Sequence, residues 1–197
     1  MKKYTRICAR IDLDAVECNL EMMRRRIPSD TKMIGVIKMD GYGHGAAQIA
    51  RLVMEEKDYI WGYAAATPDE AALLRKKGIR KPILVLGCTF PEQRDDMIMQ
   101  EIRMTCYTRE MAKDVSERAQ RLGKTAYIHV KLDTGMSRLG FLINEANADT
   151  IAQITRLPGV EAEGMFTHFS KADETDKSFT RGQMEKYLWM RSRLADR

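Results

Sequence analysis

The stretch GVIKMDGYGHG, residues 35–45, places one lysine, Lys38, at the end of an apolar run and follows it with a loop of three glycines, a tyrosine and a histidine. An amine at a strand end can lay its stem along apolar surface and release its charge to water. It can also be a nucleophile, because positive neighbours and desolvation favour the free amine that attacks an aldehyde. The glycines suit tight turning or close backbone approach to a ligand. No G-K-[ST] follows, which excludes the usual nucleotide P-loop, and the G-x-G-x-G spacing misses the dinucleotide fingerprint by one position.

A second group of residues lies in HVKLDTGMSRLG, residues 129–140. Alternation separates Ile128, Val130 and Leu132 from His129, Lys131 and Asp133. If the apolar set packs against helices, the three ionisable side chains point inward, which is costly unless they are paired or functional. Gly135 permits a sharp turn, and Arg138 re-enters the mouth with the side chain best shaped for a carboxylate or phenolate oxygen. A third segment, GMFTHFS, places His168 at another strand end. All three histidines, His44, His129 and His168, are expected at or beside strand ends, clustered with Lys38, Lys131 and Arg138. No two of them sit at helical spacing and few carboxylates join them, so no metal site is expected. An amine nucleophile among cations is what imine chemistry requires, and pyridoxal phosphate is the cofactor that exploits it most widely.

The elements that must position these groups alternate. After an opening strand-like segment, RICARIDLD, and a helix around AVECNLEMMRRR, strand-like runs begin near residues 32, 59, 82, 102, 125 and 159. Spacings of roughly 20 to 35 residues suit βα units. TPDEAALLRKKG has Thr67 as N-cap, Pro68 at the first helical position and Gly78 past the end. TREMAKDVSERAQRLG repeats the logic between Thr108 and Gly123, with Met111, Val115, Ala119 and Leu122 on one stripe. Strict alternation means a parallel sheet, either doubly wound or a TIM-type barrel, which closes with eight strands. FTRGQMEKYLWMRSRLADR still has a helical pattern at the last residue, with Met184, Tyr187, Leu188 and Leu194 on one face. The expectation is an incomplete (β/α)8 barrel with about six of eight units, cut within a crossover helix.

With 197 residues, 44% hydrophobic and 31% charged, the chain is long enough for a sizeable core. A net charge of +5 is spread over helices with acids interleaved, which argues against a nucleic-acid surface. Cys8, Cys18, Cys88 and Cys106 show no C-x-x-C spacing, and no run approaches a membrane span. A soluble, cytoplasmic protein is expected.

VIKMDGYGHG, KLDTGMSRLG and GMFTHF resemble, in order and spacing, three signature segments of the alanine racemase family, and RIDLDAVECNL is similar to that family's start. The resemblance runs along essentially the whole chain. It implies that residues 1–197 are part of the N-terminal barrel that binds pyridoxal 5′-phosphate, with the family's C-terminal β domain absent. It further implies that Lys38 carries the cofactor as an imine and acts as one catalytic base. Tyr42 would bind the phosphate, Arg138 the phenolic oxygen and the substrate carboxylate, and His168 and Leu86 would lie against the ring. Lys131 matches a lysine that is carbamylated in many members. The implied activity is interconversion of L- and D-alanine for peptidoglycan by a homodimer that shares its active site, with the second base a tyrosine of the other subunit. The isolated chain would then be weakly active or inactive. Met39 and Gly41 depart from the commoner wording K-A-D-A-Y-G-H-G without replacing a reactive group. Two alternatives stand beside this: a serine-preferring racemase of the same family, and a non-catalytic single-domain pyridoxal phosphate carrier on the same barrel.

Overall fold

The structure is a computed structural model that describes residues 7–195. Its sheet is parallel throughout, running β1 (Met33–Val36), β2 (Ile60–Ala65), β3 (Ile83–Val85), β4 (Arg103–Cys106), β5 (Ala126–Asp133) and β7 (Val160–Phe166). A two-residue strand, β6 (Phe141–Leu142), pairs with the end of β5 and was not expected from the sequence. The helices are α1 (Leu13–Arg24), α3 (Ala46–Ile49) with its π-helical continuation Ala50–Met54, α4 (Pro68–Lys76), α5 (Pro91–Met99), α6 (Arg109–Leu122), α7 (Glu145–Ile154) and α8 (Ser178–Ala195). A short element between β1 and α3, α2 (Lys38–Tyr42), is wound the other way. Among the described residues, no helix is long and apolar enough to cross a membrane.

Strand order decides between the two expected architectures. Each main strand lies beside its predecessor, with no reversal of direction across the sheet. Right-handed crossovers between such strands send every helix to the same face. A doubly wound sheet needs a reversal to place helices on both faces. The sheet therefore curls as a partial TIM barrel, with helices outside and a trough inside. Among the described residues, β1 and β7 have a strand partner on one side only.

The helix signals act as anticipated. Thr67 and Thr108 accept hydrogen bonds from the backbone N–H of Glu70 and Met111 at 3.3 and 3.1 Å. Gly123 ends α6 at φ 62°. Met111, Val115 and Ala119 are buried against the sheet. Burial of such side chains contributes about 1.5–3 kcal/mol for each of the larger ones, and this fixes the face α6 presents.

Two expectations fail. Residues 7–12 of the opening segment form no strand. No strand pairs with them among the described residues, and the Asp12 carboxylate instead caps α1, accepting from the Asp14 and Ala15 N–H groups at 3.0 and 3.1 Å. The buried face of α8 is also rotated: Met184 and Leu188 are exposed, while Gln183 and Met190 are buried and Tyr187 and Leu194 partly so. A polar residue sets this rotation. The Gln183 amide donates to Thr134 Oγ1 and His168 O at 3.0 Å each and accepts from Ser170 N–H at 3.0 Å. An unmet buried amide would be more costly than two exposed apolar side chains.

The loop after β5 folds back onto its own strand. At Gly140, φ is 129°, and a Cβ there would fall 2.5 Å from Asp133 N and 2.6 Å from the Leu132 carbonyl carbon. Gly140→Ala is therefore expected to destabilise the protein by about 1–3 kcal/mol, measured as a lowered urea midpoint, whereas Gly182→Ala, where a Cβ meets open space, is not.

Candidate functional site

Ile37 continues the pairing of β1, its N–H donating to Ala64 O at 2.9 Å, and Lys38 follows at once. The backbone then turns left-handed: Met39, Asp40, Gly41, Tyr42 and Gly43 have φ of 53°, 52°, 63°, 56° and 83°. Three of these five residues carry side chains, each at a steric disadvantage of about 1–2 kcal/mol. Local bonds hold the turn. Gly41 N–H donates to Ile37 O at 2.9 Å, Gly43 N–H to Met39 O at 3.0 Å, and Ala46 N–H to Asp40 Oδ1 at 2.9 Å. One reversed turn brings residue 42 back over residue 38, with the Lys38 amine 5.7 Å from the centre of the Tyr42 ring.

On β5, Ile128, Val130 and Leu132 are buried on the helix side. His129 and Lys131 face the trough. Lys131 is 4% exposed; its amine donates to Leu132 O at 2.7 Å and lies 5.5 Å from the Phe166 ring centre. Burial draws the Lys131 amine below its ordinary range, with Asp133 opposing and Arg138 adding to the effect. Asp133 itself turns to the backbone, Oδ1 accepting from Gly135 and Ser137 N–H at 2.9 and 3.0 Å. Burial raises that carboxyl, and these N–H groups together with Lys131 more than offset the rise, leaving it low. Arg138 is exposed at the rim.

Lys38, Tyr42, Leu86, Lys131, Arg138 and His168 all line one open trough of about 780 Å³ at the C-terminal ends of the strands. No Asp or Glu lines it among the described residues. His168 is held below the ordinary imidazole range, by burial first and then by Arg138, Lys131 and Lys38. The histidine cluster is only partly as expected. His44 bonds back to Gly41 O through Nδ1 at 2.9 Å and does not line the trough. His129 lies in mid-strand rather than at a strand end, because β5 continues to Asp133.

Beneath the mouth the sequence reading missed a polar floor. Arg103 grips Glu163 at both oxygens, at 2.9 and 2.8 Å, and its guanidinium stacks 4.4 Å from the Tyr127 ring centre. His129 Nε2 is 3.4 Å from Glu163 Oε2, and Trp61 flanks the imidazole at 5.5 Å. These residues lie on four different strands, so no local spacing could reveal them; only the inward parity of Glu163 on β7 hints at a partner. The whole arrangement is an electropositive, carboxylate-poor pocket with an amine at its edge, suited to an anionic carbonyl compound.

A family model described as the N-terminal domain of alanine racemase matches residues 11–197. The alanine racemase of Clostridium tetani is 39% identical over 198 residues, covering 100% of this chain and 50% of that protein. That of Methanococcus maripaludis is 39% identical over 182 residues, 92% of this chain and 48% of its own. The structure of Clostridium difficile alanine racemase in complex with cycloserine is similar at a TM-score of 0.91 and 41% identity, over 93% of this chain and 50% of that one. The histidine racemase of Leuconostoc mesenteroides is similar at a TM-score of 0.82 and 26% identity, over 90% and 47%. The chain thus spans about half the length of the curated relatives it matches.

Burial holds His129 below its ordinary value of 6.5, and Glu163 only partly opposes this. Above that value neither the folded nor the unfolded chain binds a proton there; below it the unfolded chain takes one that the folded chain resists. Stability is therefore full above 6.5 and falls on acidification, with a slope of at most about 1.4 kcal/mol per pH unit from this group. Urea midpoints are expected to drop between about pH 7.5 and about pH 5.5, and His129→Gln is expected to flatten that drop.

Proposed function

The chain belongs to the alanine racemase family, and from that premise we propose that it carries the cofactor-bearing side of an enzyme that interconverts L- and D-alanine with pyridoxal 5′-phosphate. One observation supports this most: six side chains from four separate segments, Lys38, Tyr42, Leu86, Lys131, Arg138 and His168, meet in a single trough. The donor set fits the cofactor. A phosphorylated, phenolate-bearing aldehyde asks for an amine, for cations and for few competing carboxylates, and the trough offers all three.

On this reading Lys38 holds the cofactor covalently, Tyr42 donates to its phosphate, Leu86 and His168 flank its ring, and Arg138 binds its phenolic oxygen. When bound, the cofactor supplies an electron sink that makes the α-proton of an amino acid removable. The protein's own part is placement and proton transfer. Arg138, exposed at the rim, draws in the substrate carboxylate and fixes the α-carbon relative to Lys38. Lys38, once its amine is free, takes or returns the α-proton on one face. His168, drawn toward its neutral form by burial and three nearby cations, offers a flat uncharged ring. Lys131, also drawn toward its neutral form, adds carbon dioxide with loss of one proton, and the resulting carbamate is an anionic partner for Arg138. A cytoplasmic homodimer that shares its site across subunits, with a partner tyrosine as second base and D-alanine supplied for peptidoglycan, completes the proposal.

Four measurements test it. Borohydride reduction with pyridoxal phosphate followed by peptide mapping is expected to label Lys38, and label on Lys131 instead would overturn the assignment. Lys38→Ala is expected to abolish the label. Arg138→Ala, which removes a charge-assisted contact of about 1.5–3 kcal/mol, is expected to weaken binding of alanine to the cofactor-loaded chain about 10- to 100-fold, read from the cofactor's absorbance. Isotopically labelled carbonate is expected to yield a carbamate signal that disappears in Lys131→Ala.

A further inference from the structure

Glu70 occupies the third position of α4, where a T-x-x-E pattern normally closes a capping box by returning the carboxylate to the N-cap N–H. Here the carboxylate goes elsewhere. Oε2 accepts from Ala66 N–H at 2.8 Å, one residue before the Thr67 cap, and Oε1 accepts from Met39 N–H at 3.0 Å. Met39 is the first left-handed residue after Lys38, and Ala66 follows the last residue of β2. One carboxylate thus ties the reversed turn to the neighbouring strand end, bridging 31 residues of sequence.

We propose that Glu70 is a positioning residue for the reactive amine, acting through Met39 to hold Lys38 at the mouth of the trough. The left-handed turn is intrinsically disfavoured at Met39, Asp40 and Tyr42, so it persists only where its surroundings fix it. The other bonds of the turn close within residues 37–46 and join it only to its own β1 and α3. The Glu70 clamp is anchored to a different strand–helix unit. Freed of it, the turn loses its side-chain tie to the β2–α4 unit, and Lys38 is held less firmly toward Lys131, Arg138 and His168. The inference rests on the assignment of Lys38 as the cofactor lysine, but the clamp itself can be tested without cofactor.

In the cofactor-free chain, amide exchange is expected to show protected Met39 and Ala66 N–H groups, both of which lose protection in Glu70→Ala. With pyridoxal phosphate and borohydride, the rate of fixing the pyridoxyl group on Lys38 is expected to fall about 10- to 100-fold in Glu70→Ala, as label spreads to other lysines. Thr67→Ala removes the helix cap but leaves the clamp, and is expected to lower the melting temperature while leaving the labelling rate unchanged. If Glu70→Ala does not fold, Glu70→Gln, which keeps one acceptor, is expected to lose protection at one of the two amides and to label at an intermediate rate. Unchanged exchange and labelling in the Glu70 variants would overturn the proposal. So would labelling that slows equally in Thr67→Ala, since Glu70 would then be only a cap. Absence of label on Lys38 in the unaltered chain would instead remove the cofactor assignment, while the exchange data would still decide whether the clamp exists.

Discussion

Everything in this molecule follows from parallel strands laid down in order and joined by crossovers of one hand. That constraint places all helices on the outside and leaves the inner face without a partner layer. It also brings the C-terminal ends of β1, β3, β5 and β7 to a common rim, so Lys38, Leu86, Lys131 and His168, far apart in sequence, meet there. No single segment encodes the site. What the chain encodes is strand parity and strand order, and the convergence is a geometric consequence of both.

The inner face divides into two layers with different electrostatics. In the lower layer the charges compensate one another, with Arg103 and Glu163 in a two-point pair whose side chains are 12% and 19% exposed. Such a pair repays its desolvation only with good geometry and further bonds, and the Tyr127 stack and the His129 contact provide them. In the upper layer the charges compensate only in part, through Asp133 beside Lys131. Lys131 and Arg138 each disfavour protonation of His168, and Arg138 also does so for Lys131. A mutual repulsion of cations is an unfavourable feature of the isolated fold, and an anionic ligand would relieve it. The contrast between a settled floor and an unsettled mouth separates support from site without reference to any relative.

Much of this was legible in the sequence because it obeys short periods. Alternation in AYIHVKLD assigned Lys131 and His129 to the inner face, and the cap signals at Thr67, Thr108 and Gly123 placed α4 and α6. What escaped notice depends on contacts that no local pattern carries. The glycines of GYGHG announced an unusual backbone, but the positive φ of Met39, Asp40 and Tyr42 depends on bonds within residues 37–46 and, at Met39, on the distant Glu70. The rotation of α8 follows one glutamine whose partners lie on two loops, so its apolar periodicity pointed to the wrong face. The opening segment alternates like a strand, yet pairing needs a neighbour, and among the described residues none is present. His129 was expected beside a strand end, but it lies four residues before Asp133, the last residue of β5.

Two amines share the trough, and their surroundings separate their roles. Lys131 is the more dehydrated, and loss of charge there is favoured, which by itself would suggest the nucleophile. Its position argues otherwise. The residue is 4% exposed and its amine is tied to Leu132 O, within the part of β5 that pairs with β7. Although it faces the trough, its amine would have to give up that carbonyl before it could react. Lys38 stands past the end of its strand, at the start of a turn whose orientation is set from outside. A base that must hold a cofactor, release it and then move a proton needs an anchored backbone with a mobile tip. A lysine followed by a clamped left-handed turn suits that proposed role better than one bonded to the backbone of its own strand.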